Sequence, residues 1–305
     1  MLAAFTPALA TANEPDQGLL LLTAAHADDA VADQAAAAKS DAAKAGEASP
    51  ATVASAAEPE SQQALALKLA NPVAALVSVP MQFNFDGDIG PARKGSRITL
   101  NVQPVIPFRI SKDWLLISRT IVPIVWQKNI FPGSGSQFGL SDTIQSVFIS
   151  PTKTGSFAWG AGPVLLIPTG TDALLSTRKW GAGPSAVVLK QNGPWTYGGL
   201  VNQVWSYAGN SSRADVNQML INPFVSHASP TAFTMVVSAD VTRDWNAKTW
   251  VVPISFSVSQ VTRIGKQLAQ VGGGVRYYVA TSPASPHGFA ARFSVTLLFP
   301  QRQSK

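Results

Sequence analysis

Cysteine is absent from all 305 residues, which removes disulfides, thiolate metal sites and cysteine nucleophiles together. Histidine is scarce: His26, His227 and His287 are the whole supply, and three dispersed imidazoles without a thiolate do not make a zinc site. Charge is thin as well. Only 13% of residues are Asp, Glu, Lys or Arg, against about a quarter in an ordinary soluble domain. Such a composition would suit helical membrane spans, but no stretch reaches the ~18 uninterrupted apolar residues that a spanning helix needs. The stretch Gly272-Gly273-Gly274 lacks the following Lys-Ser/Thr of a phosphate loop, and no helix is expected after it.

What is present divides in two. Residues 1–70 carry three Lys against nine Asp or Glu, whereas the remainder carries twenty Lys or Arg against eight acids, all of them Asp. The basic part raises the question of nucleic acid. Its cations, however, are scattered singly over loops and strands rather than gathered on one stripe, so no nucleic-acid partner is expected.

Within residues 1–27, Leu19–Ala25 is a short apolar run, and Ala25-His26-Ala27 has the A-x-A form of a signal-peptidase site. Glu14 and Asp16 stand where a basic leader would begin, so the segment reads as a degenerate or mis-started signal. Residues 28–60 are rich in Ala, Asp, Lys, Glu and Ser; with almost no large apolar side chain they offset little of the entropy of ordering, which suits a periplasmic linker, expected to run over 28–70. A short amphipathic helix is expected near 61–70, stopped by Asn71-Pro72. It would either cap the mouth of the domain beyond residue 70 or bind a periplasmic partner through 28–70.

From residue 71 to 305 the dominant signal is alternation. Val77, Val79, Met81, Phe83 and Phe85 interleave with Ser78, Pro80, Gln82, Asn84 and Asp86, one set on each face of a strand. Ile98, Leu100 and Val102 repeat the pattern against Thr99, Asn101 and Gln103, and Phe289 to Phe299 does so against Arg292, Ser294 and Thr296. Nine further strands are expected near 114–127, 142–150, 157–169, 183–190, 195–207, 216–227, 231–243, 250–261 and 267–279. Longer Gly- and Ser-rich loops alternate with tighter turns, such as Ser111-Lys112-Asp113 and Gln191–Pro194. Long loops at one rim and short turns at the other characterise a transmembrane antiparallel up-and-down β-barrel, here of about twelve strands, placed in the bacterial outer membrane with lipid around it. Trp195 and Trp205 share a parity; at ~3.3 Å per residue and ~40° of tilt they lie about 25 Å apart along the membrane normal, the height of the apolar band. Trp114 and Trp126 bracket another strand, and these four are expected to form membrane-interface girdles. Trp at strand ends would also suit a soluble β-sandwich. Phe299 ends the last strand like the C-terminal aromatic read by the barrel-assembly machinery, with Pro300 and a polar tail after it.

Several motifs carry a resemblance: Asn71-Pro72-Val73-Ala74-Ala75 through Pro80-Met81-Gln82-Phe83-Asn84, Trp114 to Thr120, Gly139-Leu140-Ser141-Asp142-Thr143, Lys179-Trp180-Gly181-Ala182-Gly183-Pro184, Asn192 to Gly198, Val275-Arg276-Tyr277-Tyr278, and Val295 to Pro300. Over about residues 62–300 the chain resembles the bacterial outer-membrane "transporter" family, often mislabelled neuromedin U. That family is related to barrel proteins associated with the meta-pathway of phenol degradation. The resemblance implies a barrel and a loose link to transport, and it brings no binding residues with it.

Parity assigns a lumen-lining set: Gln82, Asn84, Asn101, Gln103, Arg119, Lys190, Asn202, Asp240, Arg276 and Arg292. Either these groups pair with one another and fill a narrow interior, or unpaired cations line a pore and favour anions. His227 beside Ser226, with Ser229 and Asp240 near in sequence, is the one hint of a nucleophile and base. Polar residues at a turn are ordinarily solvated, so no catalytic machinery and no enzyme activity is expected. No cofactor or metal is expected either. Two functions remain open: a passive channel for small solutes, anionic or aromatic, and a closed structural or anchoring barrel whose N-terminal arm binds a partner. Oligomeric state is not readable from the chain.

Overall fold

The computed structural model describes residues 62–299, so the signal region and most of the linker lie outside the described residues. One helix, α1 (Gln62–Leu69), precedes fifteen strands: β1 (Val77–Ile89), β2 (Gly95–Val102), β3 (Val105–Arg109), β4 (Trp114–Lys128), β5 (Ser136–Leu140), β6 (Thr143–Pro151), β7 (Phe157–Ile167), β8 (Lys179–Asn192), β9 (Trp195–Gly209), β10 (Asn217–Ala228), β11 (Phe233–Ala239), β12 (Val241–Asp244), β13 (Thr249–Ile264), β14 (Gln267–Ala280) and β15 (Gly288–Phe299). All pairings are antiparallel between neighbours, and β1 pairs with β15 from Val77↔Phe299 to Phe85↔Ala291, which closes the sheet. β2 and β3 pair with successive parts of β4, as do β5 and β6, while β11 and β12 share β10 and β13. Each of these three couples is one interrupted stave, so the barrel has twelve staves. Closure leaves no edge strand, the condition for placing a sheet in hydrocarbon, where an unpaired N–H or C=O has no water to turn to.

The alternation read from the sequence is carried through the three-dimensional sheet. On β4, Leu115, Ile117, Arg119, Ile121, Val125 and Gln127 are buried inside, while Trp114 and Trp126 are exposed outside. Phe85, Ile98, Ile149, Val188, Val237, Phe256, Val275 and Phe293 are exposed on other staves. An apolar surface this extensive would be a liability in water; in a bilayer it is the solvated face. The rim with the short turns also carries the start of β1 and the end of β15. Gly193 (φ 56°) and Gly265 (φ 62°) occupy left-handed positions in two of those turns, a conformation that costs other residues most.

One seam depends on missing side chains. Gly160-Ala161-Gly162-Pro163 on β7 and Gly181-Ala182-Gly183-Pro184 on β8 repeat the same tetrapeptide, and Pro163 pairs directly with Pro184. A Cβ on Gly162 would sit 1.9 Å from the Val147 carbonyl oxygen, so only glycine lets β7 lie this close to β6.

The N-terminal part of the described chain enters the barrel. Leu65 and Ala66 of α1 pack with Leu76, Ala228, Ala232, Val261 and Leu298 at the short-turn rim. The Gln191 side-chain amide donates to the Leu67 carbonyl at 2.9 Å. Beyond Asn71-Pro72, Val73 inserts among Leu115, Ile117, Phe148, Val187, Leu200 and Phe224. At the opposite rim the 168–178 loop is pinned by Asp142, fully buried at the interruption between β5 and β6. Its carboxylate accepts from Gly170 N (3.1 Å), Ser176 Oγ (2.6 Å), and Thr177 N and Oγ1 (2.7 and 2.6 Å). From the other side Arg213 donates to the Ala173 and Ser176 carbonyls at 2.9 and 2.7 Å.

Candidate functional site

The interior is shielded from lipid, and among the described residues its lining is uneven around the ring. Over β4 to β9 it is mainly apolar: Ile121, Ile144, Val164, Leu166 and Val204 form one buried cluster, and Leu115, Ile117, Phe148, Val187, Leu189 and Leu200 belong to another, with Arg119, Gln127, Ser146, Ser185 and Asn202 buried among them. Over β1, β2 and β13 to β15 it is polar, with Gln82, Asn84, Asp86, Arg97, Thr99, Asn101, Ser255, Ser257, Arg276, Tyr278, Arg292 and Ser294 all buried.

The polar wall is cross-bonded at mid-height. Asp240, fully buried where β11 gives way to β12, accepts from Arg276 and Arg292, each at 3.3 Å, and from the Asn222 amide at 2.7 Å. Asn84 Oδ1 accepts from Arg292 Nε at 2.8 Å and from Arg276 Nη2 at 3.3 Å. The Tyr278 hydroxyl donates to Asp86 at 2.7 Å and accepts from Arg276 at 3.3 Å. Arg97 Nε donates to Gln127 Oε1 at 2.8 Å, and Arg119 donates to Gln103 at 3.0 Å. Charges taken from water are tolerated only when paired and fully hydrogen-bonded, and this network meets that condition for Arg276, Arg292 and Asp240.

Of the ten residues assigned to the lumen by parity, Gln82, Asn84, Asn101, Gln103, Arg119, Asn202, Asp240, Arg276 and Arg292 are buried inside the barrel. Asn84, Asp240, Arg276 and Arg292 meet in one network; Gln103 and Arg119 meet in another place, and Asn202 lies apart on β9. Lys190 is not inside. It is exposed, paired with Phe157 and Tyr197, themselves exposed, and its inward neighbour is Leu189. Near the end of a stave, a long ammonium on the outer face reaches headgroups and water, so outward parity costs it little. Parity carried one step further would have added Asp86, Arg97 and Tyr278, which share the parities of Asn84, Asn101 and Arg276. Asp142 opens the strand expected at 142–150, but the structure places it between β5 and β6, where parity no longer says which way a side chain faces.

The four girdle tryptophans are all exposed. Trp114 and Trp195 stand at the short-turn ends of β4 and β9, Trp126 and Trp205 toward the long-loop ends. Trp114 meets Trp159 edge-on with centroids 6.0 Å apart, and Trp126 stacks on Phe138 at 4.9 Å. His227 lies outside as well, edge-on to Trp195 at 4.7 Å. Strand alternation therefore separates it from Ser226 and Asp240, which face inward. Among the described residues no group of three His, Asp or Glu side chains could hold a metal ion.

A closed twelve-stave barrel with an apolar exterior, aromatic rims and a mixed interior has the architecture of a transmembrane β-barrel. No family model matches the chain, and no curated protein matches it. Among solved structures it is similar to an outer membrane channel from Pseudomonas putida F1, with TM-score 0.59 and 13% identity over 74% of this chain and 96% of that one. Outer membrane phospholipase A from Escherichia coli matches at TM-score 0.44 and 12% identity over 73% and 90%. A mutant Rh. blastica porin matches at TM-score 0.25 and 12% identity over 73% and 99%. The phospholipase corrects one expectation: outer-membrane barrels include enzymes, so the exclusion of catalysis drawn from the sequence does not stand.

Proposed function

We propose that the chain is an outer-membrane channel for small solutes, and that the solutes it favours combine an apolar body with an anionic or strongly polar group. The two-sided interior is the observation that carries this reading. A solute passing between β4–β9 and β1–β2–β13–β15 meets mainly hydrocarbon on one side and mainly guanidinium, amide and hydroxyl groups on the other. Solutes that are wholly polar forgo the first contact, and those wholly apolar leave polar groups unmatched. The motif resemblance to the outer-membrane "transporter" family and its relatives associated with phenol degradation fits such a solute class. In this reading Trp114, Trp126, Trp195 and Trp205 mark the two lipid interfaces, and Phe299 serves recognition by the barrel-assembly machinery.

The insertion of α1 and residues 70–76 at the short-turn rim supports a second reading, a closed barrel whose N-terminal arm engages a periplasmic partner. Planar-bilayer recording of the full-length protein separates the two. The channel reading expects unitary current steps in potassium chloride and a reversal potential displaced toward anions in a salt gradient. Silent membranes that nonetheless contain inserted protein would leave only the closed barrel.

A further inference from the structure

At the long-loop rim the outer face of the barrel carries a cation that, among the described residues, no acid claims. Arg243 stands on β12 opposite Met219 of β10 and Trp250 of β13, and it shares its face with the exposed Trp245. The guanidinium lies by two indoles, its Cζ 5.4 Å from the Trp245 ring centroid and 5.2 Å from that of Trp250. Such contacts hold a cation in place but bring no counter-charge. Nε is enclosed without a hydrogen-bond partner, and among the described residues no carboxylate pairs with Arg243. The acids on the adjoining chain are committed elsewhere. Asp244, buried on the opposite face, accepts from Gln218 and from Ala247 N, and Asp215 pairs with Lys179 at 2.8 Å.

The level of Arg243 makes this charge informative. Asn217 pairs with Trp205 of the long-loop girdle, and Met219, opposite Arg243, lies two residues nearer the middle of the stave. At ~3.3 Å per residue and ~40° of tilt, the Arg243 backbone is about 5 Å inside the girdle. Toward the midplane the same face continues in exposed Ile221 and Ile254. A guanidinium at the edge of hydrocarbon is stabilised by an anion, and the adjoining acids do not supply one. Above it, Lys248 is exposed in the turn between β12 and β13. Beside it, Trp245 Nε1 donates to Gln203 Oε1 at 3.0 Å and Gln203 Nε2 to Asn217 Oδ1 at 2.9 Å, a polar row across β9, β10 and the β12 end. We propose that this cleft binds the phosphate of an outer-leaflet glycolipid, a phosphorylated and acylated sugar of the lipid A type. The guanidinium takes the phosphate oxygens as a planar fork. Lys248 adds charge from above, the Asn217 amide meets the sugar, and acyl chains run along Ile221 and Ile254. Long loops mark the outward side of such a barrel, the side on which this lipid lies. The site does not depend on whether the lumen conducts.

The test is native mass spectrometry of the full-length protein in detergent micelles, titrated with bis-phosphorylated lipid A. Retention of one lipid A per barrel is expected, weakened by about tenfold for the same lipid stripped of its phosphates and for phosphatidylglycerol. Arg243→Gln is expected to weaken lipid A retention by about tenfold. Arg243→Lys, which keeps the charge without the fork, should weaken it by a smaller factor, and Trp250→Leu, which removes one indole, by about threefold. Lys190→Gln, an outward cation at the opposite rim, serves as the unchanged control. Equal retention of the dephosphorylated lipid by the wild type overturns the proposal, as does undiminished retention by an Arg243→Gln barrel that keeps its heat-modifiable migration. Equal retention of phosphatidylglycerol overturns it too, by making the cleft a site for any anionic lipid. Should Arg243→Gln fail to fold, the wild-type comparison of phosphorylated and dephosphorylated lipid carries the test.

Discussion

On β4, β6, β7 and β8 the inward side chains include Ile117, Phe148, Val164 and Val187; on β1, β2, β14 and β15 they include Asn84, Arg97, Arg276 and Arg292. The outward side chains of both arcs are of one kind, with Trp114, Ile149, Trp159 and Val188 on the first and Phe85, Ile98, Val275 and Phe293 on the second. The lipid therefore constrains one face of every stave alike, while the interior is free to differ from stave to stave. Where it is apolar, stability comes from packing; where it is polar, from a network that must be complete, since a half-satisfied one is worse than none. Substitutions should therefore cost the two arcs differently.

The largest effect is expected on the polar arc. Asp240→Ala leaves Arg276 and Arg292 without the carboxylate they share, and breaking a buried pair in this way costs about 3–5 kcal/mol. Urea unfolding from lipid vesicles, followed by the emission of the outward tryptophans, measures it; a midpoint unchanged from wild type would mean that water already compensates these arginines. Tyr278→Phe, which removes one donor to Asp86 and one acceptor for Arg276, is expected to cost about 1.5–3 kcal/mol in the same assay. On the apolar arc, Ile117→Val deletes one methylene from a fully buried position and should cost only about 0.5–1.5 kcal/mol. If it cost as much as Asp240→Ala, the contrast between the arcs would fail.

The same contrast explains what could be read from the chain. Strand after strand, Val77 to Phe85 or Phe289 to Phe299, announces its outer face because hydrocarbon accepts so little else, and the twelve-stave closure follows from counting. The inner face obeys no such rule. Asn84 and Arg276 are 192 positions apart, and nothing local to either names the other. Parity points Lys190 inward because a charge in mid-strand faces the lumen; it stands instead at the end of its stave, where outward placement is cheap. Val73 lies outside every alternating segment, and Asp142, at the edge of the strand expected at 142–150, in fact lies between β5 and β6, so the folding of the 168–178 loop and of residues 70–76 onto the barrel had no periodic signal to betray it.

Asp142 has an implication for what the long-loop rim presents. Because one carboxylate gathers donors from Gly170, Ser176 and Thr177, the contour of this loop exists only once β5 and β6 have met β7 and β8. An antibody raised against that contour would report the assembled barrel and ignore the same residues offered as a free peptide.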